Sequence, residues 1–286
     1  MDTIITIKIS EKNDDILKEC ERITLEFEKL VSKTIDESEI SNFNFSKNGI
    51  DGISSDTAEL IGKAIDAADN TNGLFNFSIG AVIDQWQNQV VPENLKVDHI
   101  DYKKIQLNGN KLSKTDSELK IDLGAAAKGY ICEKIVDYLK NKGIGYGILS
   151  FGGNIGVFGS KPDKTKWKIG IRDPYNTDDV IGYININSGY VSVSGDYQRW
   201  FEYEGEIYHH IIDPRTCYPV DNGTNSVVVW CEDGTIADAL STALFVMGAD
   251  EGLEFQKKKI YKFEVMYICG GKITMSGGFA EMYESK

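Results

Sequence analysis

Long apolar runs, paired cysteines and basic clusters are all missing from this sequence, and each absence excludes a class of protein. No apolar run is long enough to cross a membrane as a helix. The 5 cysteines are odd in number and far apart, which argues against a zinc knuckle or a disulfide framework. Lysine and arginine total 31 against 44 acidic residues, without a basic stripe, so nucleic acid is not expected as a partner.

Several catalytic motifs are absent as well. The sequence has no HExxH, CxxC or GxSxG motif, no Walker lysine loop, no internal repeat and no visible signal peptide.

With 41% hydrophobic residues, the chain of 286 residues can bury a sizeable core. Helices and strands mix without regular βαβ alternation, which predicts an α+β fold: one compact domain over 1–286 with largely antiparallel or mixed sheets flanked by helices.

A turn of small residues stands out near the middle of the chain. A predicted strand at Leu119–Leu123 ends beside Asp122, and Gly and Ala residues lead from there into an amphipathic helix. Unpaired N–H groups at a helix start favour anions, so this turn could bind a phosphate. A close-packed turn without a ligand is the alternative. Lys128 at the helix start is a ligand contact or a surface charge.

Asp238, Ser241 and Thr242 lie within a predicted helix, Thr235–Met247, whose other residues are nearly all small or apolar. Asp238 and Thr242 are spaced i, i+4 and therefore share one face of that helix. A buried carboxylate needs a partner or a metal, and carboxylate and hydroxyl oxygens suit Mg²⁺. The alternative is that Asp238 accepts from the first N–H groups of its own helix.

One of the three histidines, His210, is followed closely by Asp213 and Arg215. An imidazole beside a carboxylate is a candidate general base, and a guanidinium is suited to phosphate. A polar loop is predicted at Ser38–Asn44, and strands are predicted at Trp200–Tyr203 and Ile207–Ile211.

Seven stretches, taken in order, carry a resemblance that covers nearly the whole chain. They are Ser38–Asn44 (SEISNFN), Gly73–Trp86 (GLFNFSIGAVIDQW), Asp122–Tyr130 (DLGAAAKGY), Ser150–Asn154 (SFGGN), Ser192–Tyr197 (SVSGDY), His210–Pro219 (HIIDPRTCYP) and Ala237–Thr242 (ADALST). With these motifs the chain resembles the ApbE family of FAD-dependent FMN transferases.

The resemblance implies an activity. Such enzymes bind FAD, cleave its pyrophosphate with Mg²⁺, attach FMN through a phosphoester bond to a Thr or Ser of a target flavoprotein, and release AMP. Some members instead hydrolyse FAD to FMN and AMP. A flavin-binding or storage protein without turnover is a third hypothesis.

The resemblance also implies site residues. Mg²⁺ would be held by the carbonyl of Ala125 and the side chains of Asp238 and Thr242, and His210 would be the base for the acceptor hydroxyl. The implied FAD contacts are Met1, Asn44, Leu74, Phe75, Asn76, Asp122, Lys128 and Ile212.

Three positions depart from the family pattern. Thr34 or Ile35 stands where some members have a Trp on the flavin, so ring stacking is not expected there. Asn76 stands where many members have Asp, which removes an anionic contact. Cys217 stands where Gly is common, which puts a side chain into a tight turn and could expose a thiol. Family members typically carry an export or lipoprotein signal upstream of the position of Met1. We therefore expect an extracytoplasmic protein whose link to the membrane is a lipid anchor outside this sequence, with a cytoplasmic location as the alternative.

Overall fold

The computed structural model describes residues 3–86 and 90–286. Its helices are α1 Asp14–Val31, α2 Glu39–Phe45, α3 Ser55–Asn70, α4 Gly80–Gln85, α5 Ala127–Asn141, α6 Gly234–Met247, α7 Ala249–Lys257 and α8 Gly277–Met282. Its first strands are β1 Ile5–Ile9, β2 Gly49–Asp51, β3 Ile105–Asn108, β4 Lys111–Lys114, β5 Gly147–Phe151, β6 Asn154–Phe158, β7 Trp167–Arg172 and β8 Val180–Ile186. They are followed by β9 Gly189–Gly195, β10 Trp200–Tyr203, β11 Glu206–His209, β12 Thr224–Cys231, β13 Phe263–Cys269, β14 Lys272–Met275 and β15 Tyr283–Ser285.

A large antiparallel sheet, in the order β1-β5-β6-β9-β12-β13-β14, organises the fold. Successive side chains of a strand point to opposite faces. In β12, Val227 and Val229 accordingly join the core shared with the helices, whereas Val228 joins a second core with the sheet β15-β8-β7. The sheet is therefore buried on both faces, and the α+β fold with antiparallel sheets and flanking helices is confirmed. No helix within the described ranges is both long and apolar enough to cross a membrane.

Two local predictions are wrong. Ser38–Asn44 is not a loop, because the Ser38 hydroxyl accepts from the Ser41 N–H at 2.9 Å and starts α2. Helix α2 then buries Ile40 and Phe43 in the helical core, and this burial outweighs the polar composition. Leu119–Leu123 is not a ladder strand either; it forms a single parallel bridge, between Lys120 and Ile79.

Two glycines fix the distance between α5 and α6. A Cβ built on Gly129 would lie 2.0 Å from the carbonyl oxygen of Gly234, and one on Gly234 would lie 2.7 Å from the carbonyl oxygen of Gly129. No side chain fits in either direction, so the start of α5 lies directly against the first turns of α6. This contact carries Asp238 to the N-terminus of α5.

Candidate active site

Asp238 is buried between α5, α6 and the large sheet, with 4% of its surface exposed. One carboxylate oxygen accepts from the backbone N–H of Gly129 at 3.0 Å. The other accepts from the side-chain amide of Asn154 at 3.0 Å and from the hydroxyl of Ser192 at 3.4 Å. A carboxylate offers about four acceptor positions, so these bonds fix its orientation without using all its capacity.

The alternative role for Asp238, as a cap of its own helix, is wrong. Asp233 is the N-cap residue of α6, and it accepts from the Ile236 N–H at 2.9 Å. Asp238 lies one turn later and accepts instead from Gly129, in the first turn of the neighbouring helix α5. Its negative charge thus meets the positive end of another helix dipole, which is favourable.

The oxygen donors expected for a metal come from the elements that meet at this point. Ala125 belongs to the loop that immediately precedes α5, and Thr242 lies one helical turn after Asp238 on α6. The Thr242 hydroxyl has no hydrogen-bond partner in the part of the chain that the structure describes. A carboxylate, a hydroxyl and a carbonyl form an oxygen set that fits Mg²⁺. No group of three or more His, Cys, Asp or Glu side chains in the described ranges offers a different kind of metal site.

Lys128 is held at this site from two sides. Its ammonium group donates to the Gly124 carbonyl at 2.9 Å and lies 3.9 Å from an Asp238 carboxylate oxygen. Its positive charge also contributes to a lower pKa of His210. The charge of Lys128 therefore acts on both the buried carboxylate and the histidine.

The two adjacent histidines differ in how many of their ring nitrogen atoms form hydrogen bonds. His209 uses both: Nε2–H donates to the Val220 carbonyl at 2.9 Å, and Nδ1 accepts from the Ile211 N–H at 3.2 Å. Among the residues that the structure describes, His210 bonds only through Nδ1, which donates to the Arg199 carbonyl at 3.2 Å. Since a carbonyl can only accept, Nδ1 carries the proton in the neutral ring and Nε2 retains its lone pair.

The side chain of His210 is open to solvent on one side, but surrounding protein and nearby positive charge favour its neutral form. Desolvation lowers its pKa to about 4, and the positive charges of Arg199 and Lys128 act in the same direction against the hydrogen bond to the Arg199 carbonyl. Asp213 has no part in this arrangement, because its carboxylate binds Arg215 at 2.7 Å. The expectation of a histidine oriented by this carboxylate is wrong, and a backbone carbonyl takes that place.

His210 lines a pocket of about 240 Å³. Ile212 contributes to its wall, and Trp86 closes one side through ring contacts with Tyr208 at 5.7 Å and Tyr218 at 5.3 Å. The lining is mostly aromatic and aliphatic, which suits a flat apolar ligand part beside the imidazole.

Asp122 belongs to a series of linked ion pairs that the sequence did not predict. One of its oxygens accepts from the Gly124 N–H at 2.8 Å, and the other lies 2.9 Å from the Lys33 ammonium group. Lys33 also binds Asp84 at 3.0 Å, which in turn binds Lys120 at 2.9 Å. Burial lowers the pKa of Lys33, but Asp122 and Asp84 together raise it above its ordinary value.

A larger pocket, of about 560 Å³, lies beside Leu74 and Asn76 and is also lined by Arg215. The Asn76 amide does not face it freely: its oxygen accepts from the Ser78 N–H at 2.9 Å and its nitrogen donates to the Ile100 carbonyl at 2.9 Å. The change from Asp to Asn thus gives this position a donor that holds the neighbouring loop.

Two further FAD contacts that the resemblance implies do not line either pocket. Phe75 is buried in the helical core. The Asn44 amide is paired with the backbone of Ile121, donating to its carbonyl at 2.9 Å and accepting from its N–H at 2.8 Å. Asn44 therefore fixes the segment that presents Asp122. Met1 lies outside the described residues.

Cys217 adopts φ = 60°, the left-handed conformation that favours glycine, which explains why glycine is common there. Its side chain is only 1% exposed, so the expectation of an exposed thiol is wrong. Its carbonyl accepts from the Trp86 indole N–H at 3.0 Å. This turn thereby supports the wall of the His210 pocket.

Sequence reasoning did not assign a role to the partners of Asp238. Asn154 closes the SFGGN stretch and Ser192 opens the SVSGDY stretch, so a motif signal was present at both positions. Their role depends on the pairing of β6 with β9, which places Asn154 opposite Ser192. Only the register of the sheet brings these residues to the same carboxylate.

Several known proteins are similar to this chain in sequence. The sequence profile of the ApbE family matches residues 1–267. A FAD:protein FMN transferase of Haemophilus influenzae is 29% identical over 97% of this chain and 86% of that protein. One from Klebsiella pneumoniae (strain 342) is 38% identical over 135 residues, which cover 47% of this chain and 41% of that protein.

A solved structure agrees over almost the whole fold. The ApbE protein of Thermotoga maritima is 31% identical, with a TM-score of 0.87 over 98% of this chain and 95% of that one. The chain belongs to the ApbE family.

Proposed function

We propose that this protein is a Mg²⁺-dependent FAD:protein FMN transferase that acts on a Thr or Ser of a target flavoprotein and releases AMP. Its family and the activity for which its relatives are named support the class of reaction. The observation that carries the proposal is the state of His210. Its Nδ1 donates to the Arg199 carbonyl, and its Nε2 is left as a base beside a pocket.

The metal in this proposal would be held by the Ala125 carbonyl, the Asp238 carboxylate and the Thr242 hydroxyl. Bound Mg²⁺ would neutralise negative charge on the pyrophosphate. The chain's own contribution is to hold Asp238 in one orientation through Gly129 and Asn154. Such outer partners set the direction of a ligand's lone pairs.

The transfer step follows from the free Nε2. The acceptor hydroxyl oxygen forms a bond to the FMN-side phosphorus of FAD while the bond from that phosphorus to the bridging oxygen breaks. The hydroxyl proton passes to Nε2 of His210, and the bridging oxygen leaves as part of AMP. Lys128 adds a fixed positive charge beside Asp238, where charge on the phosphate oxygens has to be balanced.

FAD would contact the chain along the two pockets and the loop before α5. Ile212 lines the pocket of His210, Leu74 and Asn76 line the larger pocket, and Asp122 and Lys128 flank the Gly124 turn. Phe75 and Asn44 would act through packing and through the Ile121 backbone. The contribution of Met1, and a location outside the cytoplasm, stay predictions.

The product formed from FAD tests the proposal. The protein is incubated with FAD, Mg²⁺ and a flavoprotein that carries an acceptor Thr, and the flavoprotein is run on a denaturing gel. We expect a fluorescent flavin band and one AMP per flavin attached, and neither with the acceptor Thr changed to Val. AMP without a band would assign FAD pyrophosphatase activity instead, and intact FAD with no band would assign a flavin-storage role.

A further inference from the structure

Lys33 lies two residues beyond the end of α1 and binds two carboxylates from distant parts of the chain. Its ammonium nitrogen is 3.0 Å from a carboxylate oxygen of Asp84 and 2.9 Å from one of Asp122. The Lys33 side chain is only 18% exposed, and that of Asp122 is 19% exposed. Partly buried ion pairs are screened by salt much less than exposed ones. Lys33 therefore joins α4 to the loop before α5 by contacts that persist at physiological ionic strength.

The turn that carries Lys33 is held by its neighbour Ser32. The Thr34 N–H donates to the Ser32 hydroxyl at 3.2 Å, and the Ser38 hydroxyl donates to the Ser32 carbonyl. Ser38 is in turn the N-cap residue of α2. These bonds do not involve the side chain of Lys33, so a substitution of that side chain should leave the backbone of the turn in place.

Asp122 connects Lys33 to the Gly124 turn. One oxygen of Asp122 accepts from the Gly124 N–H at 2.8 Å, and the other is the oxygen that lies 2.9 Å from the Lys33 ammonium group. Each oxygen is thus fixed by a different partner. Either oxygen could accept from Gly124 if Lys33 were absent, and the carboxylate could then rotate. Lys33 therefore determines the direction in which the remaining lone pairs of Asp122 point.

Asp84 connects Lys33 to the pocket of His210. It lies on α4, and two residues close to it in the chain, Ile83 and Trp86, line that pocket. A helix of 6 residues without a side-chain cap is weak on its own, so the position of α4 depends on its contacts with neighbouring elements. The ion pair between Asp84 and Lys33 is one of these contacts.

Lys33 also balances the charge of Asp122. Among the residues that the structure describes, it is the only cation within ion-pair distance of this carboxylate. Lys120 binds Asp84 at 2.9 Å, but not Asp122. FAD carries negative charge on its pyrophosphate, and a like charge beside it costs binding free energy. Without Lys33, an unpaired carboxylate would therefore face the ligand at the Gly124 turn.

We propose that Lys33 is a positioning residue for FAD, which orients and neutralises Asp122 and holds the loop before α5 in a fixed relation to α4. This inference rests on the proposed transferase function, in which Asp122 contacts FAD. It assigns Lys33 to the affinity for FAD and not to the transfer step. The reason is that the ion pairs of Lys33 lead to Asp122 and Asp84 rather than to His210 or Asp238.

The experiment measures FAD binding and turnover separately. The Kd of FAD is obtained without Mg²⁺ from the quenching of flavin fluorescence, and KM and kcat are obtained from AMP release with Mg²⁺ and an acceptor flavoprotein. Lys33→Met should raise both Kd and KM about tenfold, as expected for the loss of a charge-assisted hydrogen bond, and should leave kcat within about twofold of the wild-type value. Lys33→Arg keeps the charge and can bond to both carboxylates, so it should recover most of the affinity.

Lys120→Met is the matched control, because it also removes a positive charge from Asp84 but does not affect a contact of Asp122. It should change the Kd of FAD by less than about twofold. A double variant shows whether Lys33 acts through Asp122. When Asp122→Asn is already present, Lys33→Met should raise Kd by no more than about threefold.

Three outcomes would overturn the positioning role: a wild-type Kd in Lys33→Met, an equal loss of affinity in Lys120→Met, or a further tenfold loss when Lys33→Met is added to Asp122→Asn. Urea unfolding checks that each variant is folded, and Lys33→Gln replaces Lys33→Met if the latter is not. A wild-type protein that binds FAD but releases no AMP and attaches no FMN would instead refute the transferase function, and the comparison of Kd values would still test Lys33.

Discussion

Asn154 donates a 3.0 Å hydrogen bond from its side-chain amide to the carboxylate of Asp238, and both residues are buried. The bond links the start of β6 to the second turn of α6. Asp238 therefore has its orientation set by the large sheet as well as by Gly129 of α5. Under the proposed function, this bond orients Asp238, which provides the only carboxylate among the expected Mg²⁺ ligands.

Asn154→Ala should lower the rate of AMP release and raise the Mg²⁺ concentration needed for half-maximal rate, each by about 10- to 100-fold. The physical reason is that Asp238 loses a buried donor and the constraint on one oxygen. The measurement is AMP release as a function of Mg²⁺, together with the rise in melting temperature on Mg²⁺ addition.

Ser226→Ala is the control for that substitution. Ser226 is also buried in the large sheet, but its hydroxyl has no partner in the described part of the chain, so its removal should leave both Mg²⁺ readouts unchanged. Wild-type Mg²⁺ dependence in Asn154→Ala would remove Asn154 from the positioning of Asp238.

His210→Ala and His209→Ala should separate catalysis from stability. Loss of the free base in His210→Ala should slow FMN transfer by about 10²- to 10⁴-fold with little change in unfolding free energy. His209→Ala removes the bond to the Val220 carbonyl and the edge contact with the Phe245 ring, and should lower the unfolding free energy by about 1–3 kcal/mol. Transfer kinetics and urea unfolding of both variants provide the measurement, and the reverse pattern would show that His209 is the base.

The sequence predicts most of the chemistry of this site, but not how its residues are held. Spacing along one helix is enough to pair Asp238 with Thr242, because i, i+4 geometry is local. The partners of Asp238 depend on the register between β6 and β9 and on the contact of Gly129 with Gly234. Both are long-range features, which periodicity in a single chain does not encode.

The choice between neighbouring groups was equally beyond the sequence. The short spacing from His210 to Asp213 predicts an imidazole beside a carboxylate, but the turn directs the carboxylate to Arg215 and leaves the Arg199 carbonyl for the imidazole. The polar composition of Ser38–Asn44 predicts a loop, but Ile40 and Phe43 are buried on one side of α2.

The pKa of His210 predicts the response to acid. Its value is lowered from 6.5 to about 4, so the folded protein keeps the ring neutral at pH values where the unfolded chain is already protonated. If His210 is the base, kcat/KM should stay constant down to about pH 5, because the ring is still neutral there. It should then decrease at lower pH, with a midpoint near the pKa of His210 in the folded protein. A pH–rate profile in which kcat/KM already falls through 6.5 would contradict a base in this environment.

The free energy of unfolding should also decrease as the pH falls. Between pH 6.5 and about pH 4, the unfolded chain binds a proton that His210 in the folded protein does not bind. The contribution of His210 to the free energy of unfolding is therefore fully present above pH 6.5 and is lost as the pH falls. Wild-type protein should therefore lose more unfolding free energy between about pH 7 and about pH 5 than His210→Gln does. His209 is present in both proteins, so its own titration cancels in the comparison.

Gly129→Ala tests whether the contact between α5 and α6 builds the site. The added Cβ would lie 2.0 Å from the Gly234 carbonyl oxygen and 2.7 Å from Cβ of Asp238, so the two helices must separate. We expect a loss of about 1–3 kcal/mol in unfolding free energy from overpacking. AMP release should fall at the same time, because the separation also lengthens the bond from the Gly129 N–H to Asp238.

Gly62→Ala is the matched helical control, since the nearest atom to its added Cβ is 3.9 Å away in the Leu107 side chain. There the gain in helix propensity should raise stability by up to about 1 kcal/mol without a change in AMP release. Urea unfolding of both variants gives the comparison. If Gly129→Ala were as stable and as active as Gly62→Ala, the close approach of α5 to α6 would not be what holds Asp238 in place.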